Sequence, residues 1–140
     1  MGLDQYAYAV SKRSVGTKQV DHKLSDRVKR ERLGDWRNHR HLLKWMAKLY
    51  YEKGGKKGPK KGWCIGFLRL DERDLDKLER AVRNGKLYGY INEYEGRQGI
   101  KKGDPDLQHN EYCLVQDRDF LEKARKAIAG GKIVFYKDWW

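Results

Sequence analysis

Residues Cys64 to Glu93 read CIGFLRLDERDLDKLERAVRNGKLYGYINE, and the fold class turns on how this stretch is parsed. CIGFLRL is apolar and nearly free of charge, as a buried strand requires. Asp71 then offers an N-cap, and Asp74 to Arg83 carries apolar residues at helical spacing. Gly85 is placed to end that helix, and Lys86 to Glu93, rich in Tyr, reads as a second strand. The pattern returns 46 residues on: Leu68, Asp71, Leu75, Ala81, Gly85, Lys86 and Tyr90 recur as Leu114, Asp117, Leu121, Ala127, Gly131, Lys132 and Tyr136. The matches fall where any strand, helix, strand unit needs those residue types. They imply repeated geometry: strands at Tyr112 to Val115 and Lys132 to Tyr136 around a helix at Asp119 to Ala129.

In chain order these elements make βαββαβ, the ferredoxin-like arrangement of an α+β fold, over about residues 63–138. Its central strands would be the first and third, and CIGFLRL and YCLV are the segments poorest in charge. Upstream, Tyr6 to Val10 reads as a short strand. Val20, Leu24, Val28 and Leu33 recur at three to five residues and suggest a thinly apolar helix, partly mobile without a partner. Asp35 is placed to cap a longer helix, Trp36 to Tyr51, whose stripe of Trp36, His39, Leu43, Met46 and Tyr50 needs burial. These N-terminal pieces are expected to form a layer over the open face of the sheet. A chain of 140 residues suits one domain, 1–140.

The charge is uneven. The chain has 32 Lys and Arg against 20 Asp and Glu, a formal +12. From Ser11 to Leu33, eight basic residues face three acids, Asp21, Asp26 and Glu31. Lys53 to Gly62 reads KGGKKGPKKG, with five Lys, no acid and too little apolar surface to bury, so it is expected to be an exposed loop. Charge gathered in two runs creates a local field able to hold phosphates by releasing counterions, which evenly spread charge does not. The partner class expected is therefore a polyanion, DNA or RNA, or else an acidic protein.

Other classes lack support. No run of about 18 apolar residues is present, and the start is not laid out as a secretory signal, so a cytoplasmic, membrane-free setting is expected. Cys64 and Cys113, 49 residues apart in apolar segments, read as buried reduced thiols and not as a zinc or disulfide framework. His39 and His41 point to different sides of a helix, which defeats a shared metal site and leaves His39 as a hydrogen-bonded core residue. No Gly-rich phosphate loop and no Ser, His, Asp set stands out, so neither a catalytic residue nor a cofactor is assigned. The segment Glu93 to Glu111 gathers Glu93, Glu95, Asp104, Asp106, His109 and Glu111 among turn residues, the donor types of a metal-dependent nuclease, without a motif to fix their geometry. Trp63, Phe67, Tyr88, Tyr90, Tyr94 and Tyr136 would project from the proposed strands as a base-stacking platform, with core packing the favoured reading.

Met1-Gly2-Leu3-Asp4 runs into a strand, Trp36-Arg37-Asn38-His39 opens a helix that reaches Trp45-Met46, Asp74-Leu75 lies in a further helix, and Ala127-Ile128-Ala129-Gly130-Gly131-Lys132 leads into Phe135-Tyr136 and Trp139-Trp140. In these short pieces the chain resembles a family of small uncharacterised bacteriophage proteins. The chain departs from that pattern at Lys137-Asp138, where a small Ser often precedes the Trp pair, and its two basic runs look expanded. The resemblance implies a phage setting and no particular activity.

The expected interface is thus Lys12, Arg13, Lys18, Lys23, Arg27, Arg30, Lys56, Lys57, Lys60 and Lys61, acting on phosphates with little base specificity. The alternative is an effector that docks on an acidic host protein, with Trp139 and Trp140 as anchors.

Overall fold

The computed structural model of the chain describes residues 3–57, 65–88 and 105–139. In chain order it contains β1 (Asp4–Ser11), a 3-10 turn (Lys12–Ser14), β2 (Val20–His22), β3 (Arg30–Arg37), α1 (Arg40–Glu52), β4 (Phe67–Leu70), α2 (Glu72–Arg83), a second 3-10 turn (Lys86–Tyr88), α3 (Pro105–Ala129) and β5 (Lys132–Trp139). The strands form one five-stranded antiparallel sheet in the order β2-β4-β5-β1-β3. The described residues form a mixed α+β structure, with three helices on the sheet.

Strand alternation divides the sheet into two unlike faces. Along β1, Ala7 and Ala9 turn inward and are buried, and these small side chains let helices approach closely. With Leu68, Leu70, Val134 and Tyr136 they form a floor for Leu42, Met46 and Tyr50 of α1, Leu75 and Leu78 of α2, and Phe120, Leu121 and Ala124 of α3. The opposite face carries a smaller cluster, Val10, Phe67, Ile133 and Phe135, packed by Val15, Leu24 and Val28 of the segment after β1.

β3 holds its register against β1 only by an irregularity. Ala7 pairs with Gly34 and Tyr8 with Arg32, so Leu33 is an extra residue between them. That bulge lets Leu33 and Trp36 both enter the helix-side core. Gly34 is required beneath the Trp36 indole, because a Cβ there would lie 2.4 Å from the ring.

Four expectations are corrected. Val20 to Leu33 is not a helix: Val20–His22 pairs with β4 and Arg30–Arg37 pairs with β1, so partner strands outweigh a weak four-residue periodicity. Asp35 lies within β3, ion-paired with Arg32 at 3.3 Å, and the cap of α1 is His39, whose Nδ1 accepts from Leu42 N–H at 3.4 Å. Trp36 therefore belongs to a strand and not to the helix stripe. Tyr112 to Val115 lies inside α3, where Cys113, Asp117, Phe120, Leu121 and Ala124 form a buried helical stripe. A four-residue apolar run cannot by itself distinguish a strand from a buried helical turn.

Lys86–Tyr88 is a 3-10 turn, and the remainder of the strand expected to end at Glu93 lies outside the described residues. The ferredoxin-like βαββαβ order is accordingly not confirmed. The N-terminal strand is not an added layer either: β1 is in the sheet interior, between β5 and β3.

The internal echo survives only at the helix ends. Gly85 and Gly131 follow α2 and α3 with φ of 75° and 82°, the left-handed conformation that closes a helix and that a Cβ disfavours. Asp71 caps α2 in a reciprocal capping box with Asp74, whereas its counterpart Asp117 is in mid-helix.

Candidate nucleic-acid interface

The sheet face turned away from the helices is both aromatic and cationic. Tyr6 and Tyr8, two residues apart on β1, project from it half-buried, with ring centroids 6.1 Å apart and planes 25° apart. The Arg32 guanidinium lies 4.9 Å from the Tyr6 ring centroid, and that of Arg30 lies 5.5 Å from Tyr8 and 6.0 Å from Phe67. The Lys137 ammonium lies 4.6 Å from the Phe67 ring. Such distances suit cation–π attraction, which holds the cations in place over the rings. Partial burial raises the Tyr6 phenol above its ordinary value, with Asp4 and Asp35 adding to the effect and Arg32 opposing it. Trp139 pairs with Asp4 across β5 and β1, so it shares this face, and it is 61% exposed.

The basic segment after β1 adjoins this face. Lys12, Arg13, Lys18, Lys23 and Arg27 are exposed and form no ion pair with a described residue, while Val15, Leu24 and Val28 anchor the segment on the outer cluster. Arg30 is only partly exposed, its guanidinium donating to Ser25 O at 3.1 Å. The second basic run begins beside the first: Lys57 Nζ is 3.9 Å from Asp21 Oδ1, and Tyr50 OH donates to the same carboxylate at 2.8 Å. Lys56 is exposed. Lys60, Lys61 and Trp140 lie outside the described residues.

Lys53, the first lysine of that run, has a different role. Its Nζ donates to Asp74 Oδ2 at 2.5 Å, Arg69 O at 2.6 Å and Gln19 Oε1 at 3.2 Å, so it ties the end of α1 to β4 and α2.

Among the described residues, the densest polar constellation is sealed from solvent. Asp117 accepts from Trp36 Nε1 at 2.9 Å and from the Tyr88 hydroxyl, and its Oδ2 lies 2.8 Å from His39 Nε2. His39 and Asp117 are each 1% exposed. Gln5 extends the network, donating to Tyr136 OH at 2.8 Å and accepting from His39 N–H at 2.9 Å. Burial, then Asp117, raises the Tyr88 phenol far above its ordinary value and pushes the Cys113 thiol up to about 12. Buried in this way, the group fastens α3 to β3 and the start of α1. His39 is the hydrogen-bonded core residue expected of it.

Of the aromatics expected on a platform, Tyr88 and Tyr136 are buried on the helix side, Phe67 is on the outer face, and Trp63, Tyr90 and Tyr94 lie outside the described residues. The acidic segment from Glu93 is described only from Pro105, where it is the first part of α3 and not a loop; His109 Nε2 there lies 2.9 Å from Asn38 O. Among the described residues no group of three or more His, Cys, Asp or Glu is arranged to hold a metal, and no described helix is long and apolar enough to cross a membrane.

Sequence reasoning missed Tyr6, Tyr8, Arg32 and Lys137. The alternation of YAYA in β1 marks two faces, but only packing against the helices shows that the small residues, not the large ones, occupy the inward register. A scan against protein-family models, and searches of curated proteins and of solved structures, found no match.

Proposed function

We propose that the protein binds nucleic acid through backbone phosphates, with little sequence specificity, using Lys12, Arg13, Lys18, Lys23, Arg27, Arg30, Lys56, Lys57, Lys60 and Lys61. The observation that carries this reading is the meeting of the two basic runs at Lys57 and Asp21, together with five exposed cations of the first run that pair with no described acid. A surface of unpaired Lys and Arg binds phosphates by counterion release. If about six of them engage a DNA duplex, log affinity falls with log salt at a slope of about −5. A binding titration that is flat between low and moderate salt overturns the reading. The setting inferred is the cytoplasm of an infected host cell, on the resemblance to small phage proteins.

A second reading, a phage effector docked on an acidic host protein, is favoured by the exposure of Trp139 beside this basic surface, since aromatic anchors dominate interfaces. Capture from nuclease-treated host lysate separates the two: an acidic partner that survives nuclease supports the effector, and loss of everything captured supports nucleic acid.

A further inference from the structure

We propose that the outer sheet face of Tyr6, Tyr8, Arg30, Arg32, Lys137 and Trp139 stacks the bases of an unpaired strand. This inference rests on the nucleic-acid reading above and narrows its ligand to single-stranded DNA or RNA.

β1 lies between β5 and β3, so Tyr6 and Tyr8 stand on the floor of the sheet, with strands on both sides, and not at its edge. The helix-side core does not need these rings, because the inward register of β1 is filled by Gln5, Ala7 and Ala9, while Tyr8 packs in part on the outer cluster. The segment after β1 packs on the outer cluster of Val10, Phe67, Ile133 and Phe135, with His22 edge-on to Phe135 at 4.7 Å, and it leaves Tyr6 and Tyr8 partly exposed and Trp139 exposed.

The chemistry suits one occupant. A duplex encloses its base faces within its own stack, so only an unpaired base can lie on a protein ring. Rings and guanidinium planes both stack on bases, and here Arg30 and Arg32 are already layered against Tyr8 and Tyr6. Lys137, opposite Tyr6 on β5, supplies a charge for phosphate beside the rings. Asp35, the nearby acid on β3, is held by Arg32 at 3.3 Å. The uncovered cations of the adjoining segment continue the positive surface past the platform, giving a strand both stacking sites and phosphate contacts.

The test compares three ligands on the intact protein at one low salt concentration: a labelled oligothymidylate on the order of ten nucleotides long, an abasic strand of equal length, and a duplex of equal length. The oligothymidylate is expected to bind at least about tenfold more tightly than the abasic strand, which keeps the phosphates and lacks the bases. A Tyr6→Leu, Tyr8→Leu variant should lose that advantage, and a Tyr6→Phe, Tyr8→Phe variant should keep it. Equal binding of abasic and thymidylate strands, both salt-dependent, overturns the platform and leaves the phosphate reading standing. Failure of all three ligands to bind overturns both. The comparison of strands is made on the wild-type protein, so it decides the question even if the leucine variant does not fold.

Discussion

Replacing Asp117 by Ala removes the one acceptor shared by Trp36, His39 and Tyr88, all of them buried. Each donor left without a partner costs about 1–3 kcal/mol. The donors share one site and their costs do not add fully, so the expected loss is about 4 kcal/mol. Alanine recovers only about 0.5 kcal/mol of helix propensity over aspartate, too little to change the outcome. Against a typical total of about 5–15 kcal/mol, the variant should be marginal. Urea unfolding followed by circular dichroism measures the effect, with a midpoint falling by about 2 M for an m-value near 2 kcal/mol/M. The control is Glu122→Ala on the exposed side of the same helix, where the pair with Lys126 at 3.3 Å is worth about 0.5 kcal/mol or less. A loss below about 1 kcal/mol for Asp117→Ala, with the control unchanged, would refute the claim that this cluster is closed to water and holds α3 in place.

Three further outcomes are expected. Lys53→Ser should cost about 2–3 kcal/mol by leaving the buried Asp74 carboxylate unpaired, whereas Lys56, Lys57, Lys60 and Lys61 changed together to Ser should leave the unfolding midpoint nearly unchanged while weakening polyanion binding; equal midpoints for the two variants would contradict this division of roles. Burial raises the Asp138 carboxyl from 3.8 to about 7, although Ile65 N–H donates to its Oδ1. Between those values the folded state binds the extra proton, so this group's contribution to stability is lost as pH rises toward 7. The stability of Asp138→Asn relative to wild type should therefore grow from pH 5 to pH 8 in parallel denaturant titrations, and a constant difference would refute the assignment. Cys113, 1% exposed and with its thiol raised to about 12, should resist alkylation at pH 8 in a native Cys64→Ser variant and react on unfolding; rapid native labelling would show that the site opens.

Local chemistry was legible wherever it acts over a few residues. Asp71 caps α2, Gly85 and Gly131 close α2 and α3, Tyr6 to Val10 lies in a strand, and most of Trp36 to Tyr51 is helical. The charge of the two runs is a property of composition and needed no fold. Errors arose where the winning interaction is distant in sequence. Val20 to Leu33 offers apolar residues at nearly helical intervals, yet β2 and β3 exist because β4 and β1 supply backbone partners. YCLV suits a strand as well as a helical turn, and only the burial of Cys113 and Phe120 against the sheet decides for the turn.

By itself, then, the sequence determined an α+β protein with strong caps, two concentrated basic runs and apolar material for one core. Tertiary structure alone decided the rest: that β1 lies inside the sheet, that its alanines and not its tyrosines meet the helices, and that Lys57 stands beside Asp21 while Lys53 is drawn away to Asp74. The physical reason is that alternation along a strand names two faces without saying which is buried. That choice is made by helices and strands many residues away, whose contacts carry no signal within the strand itself.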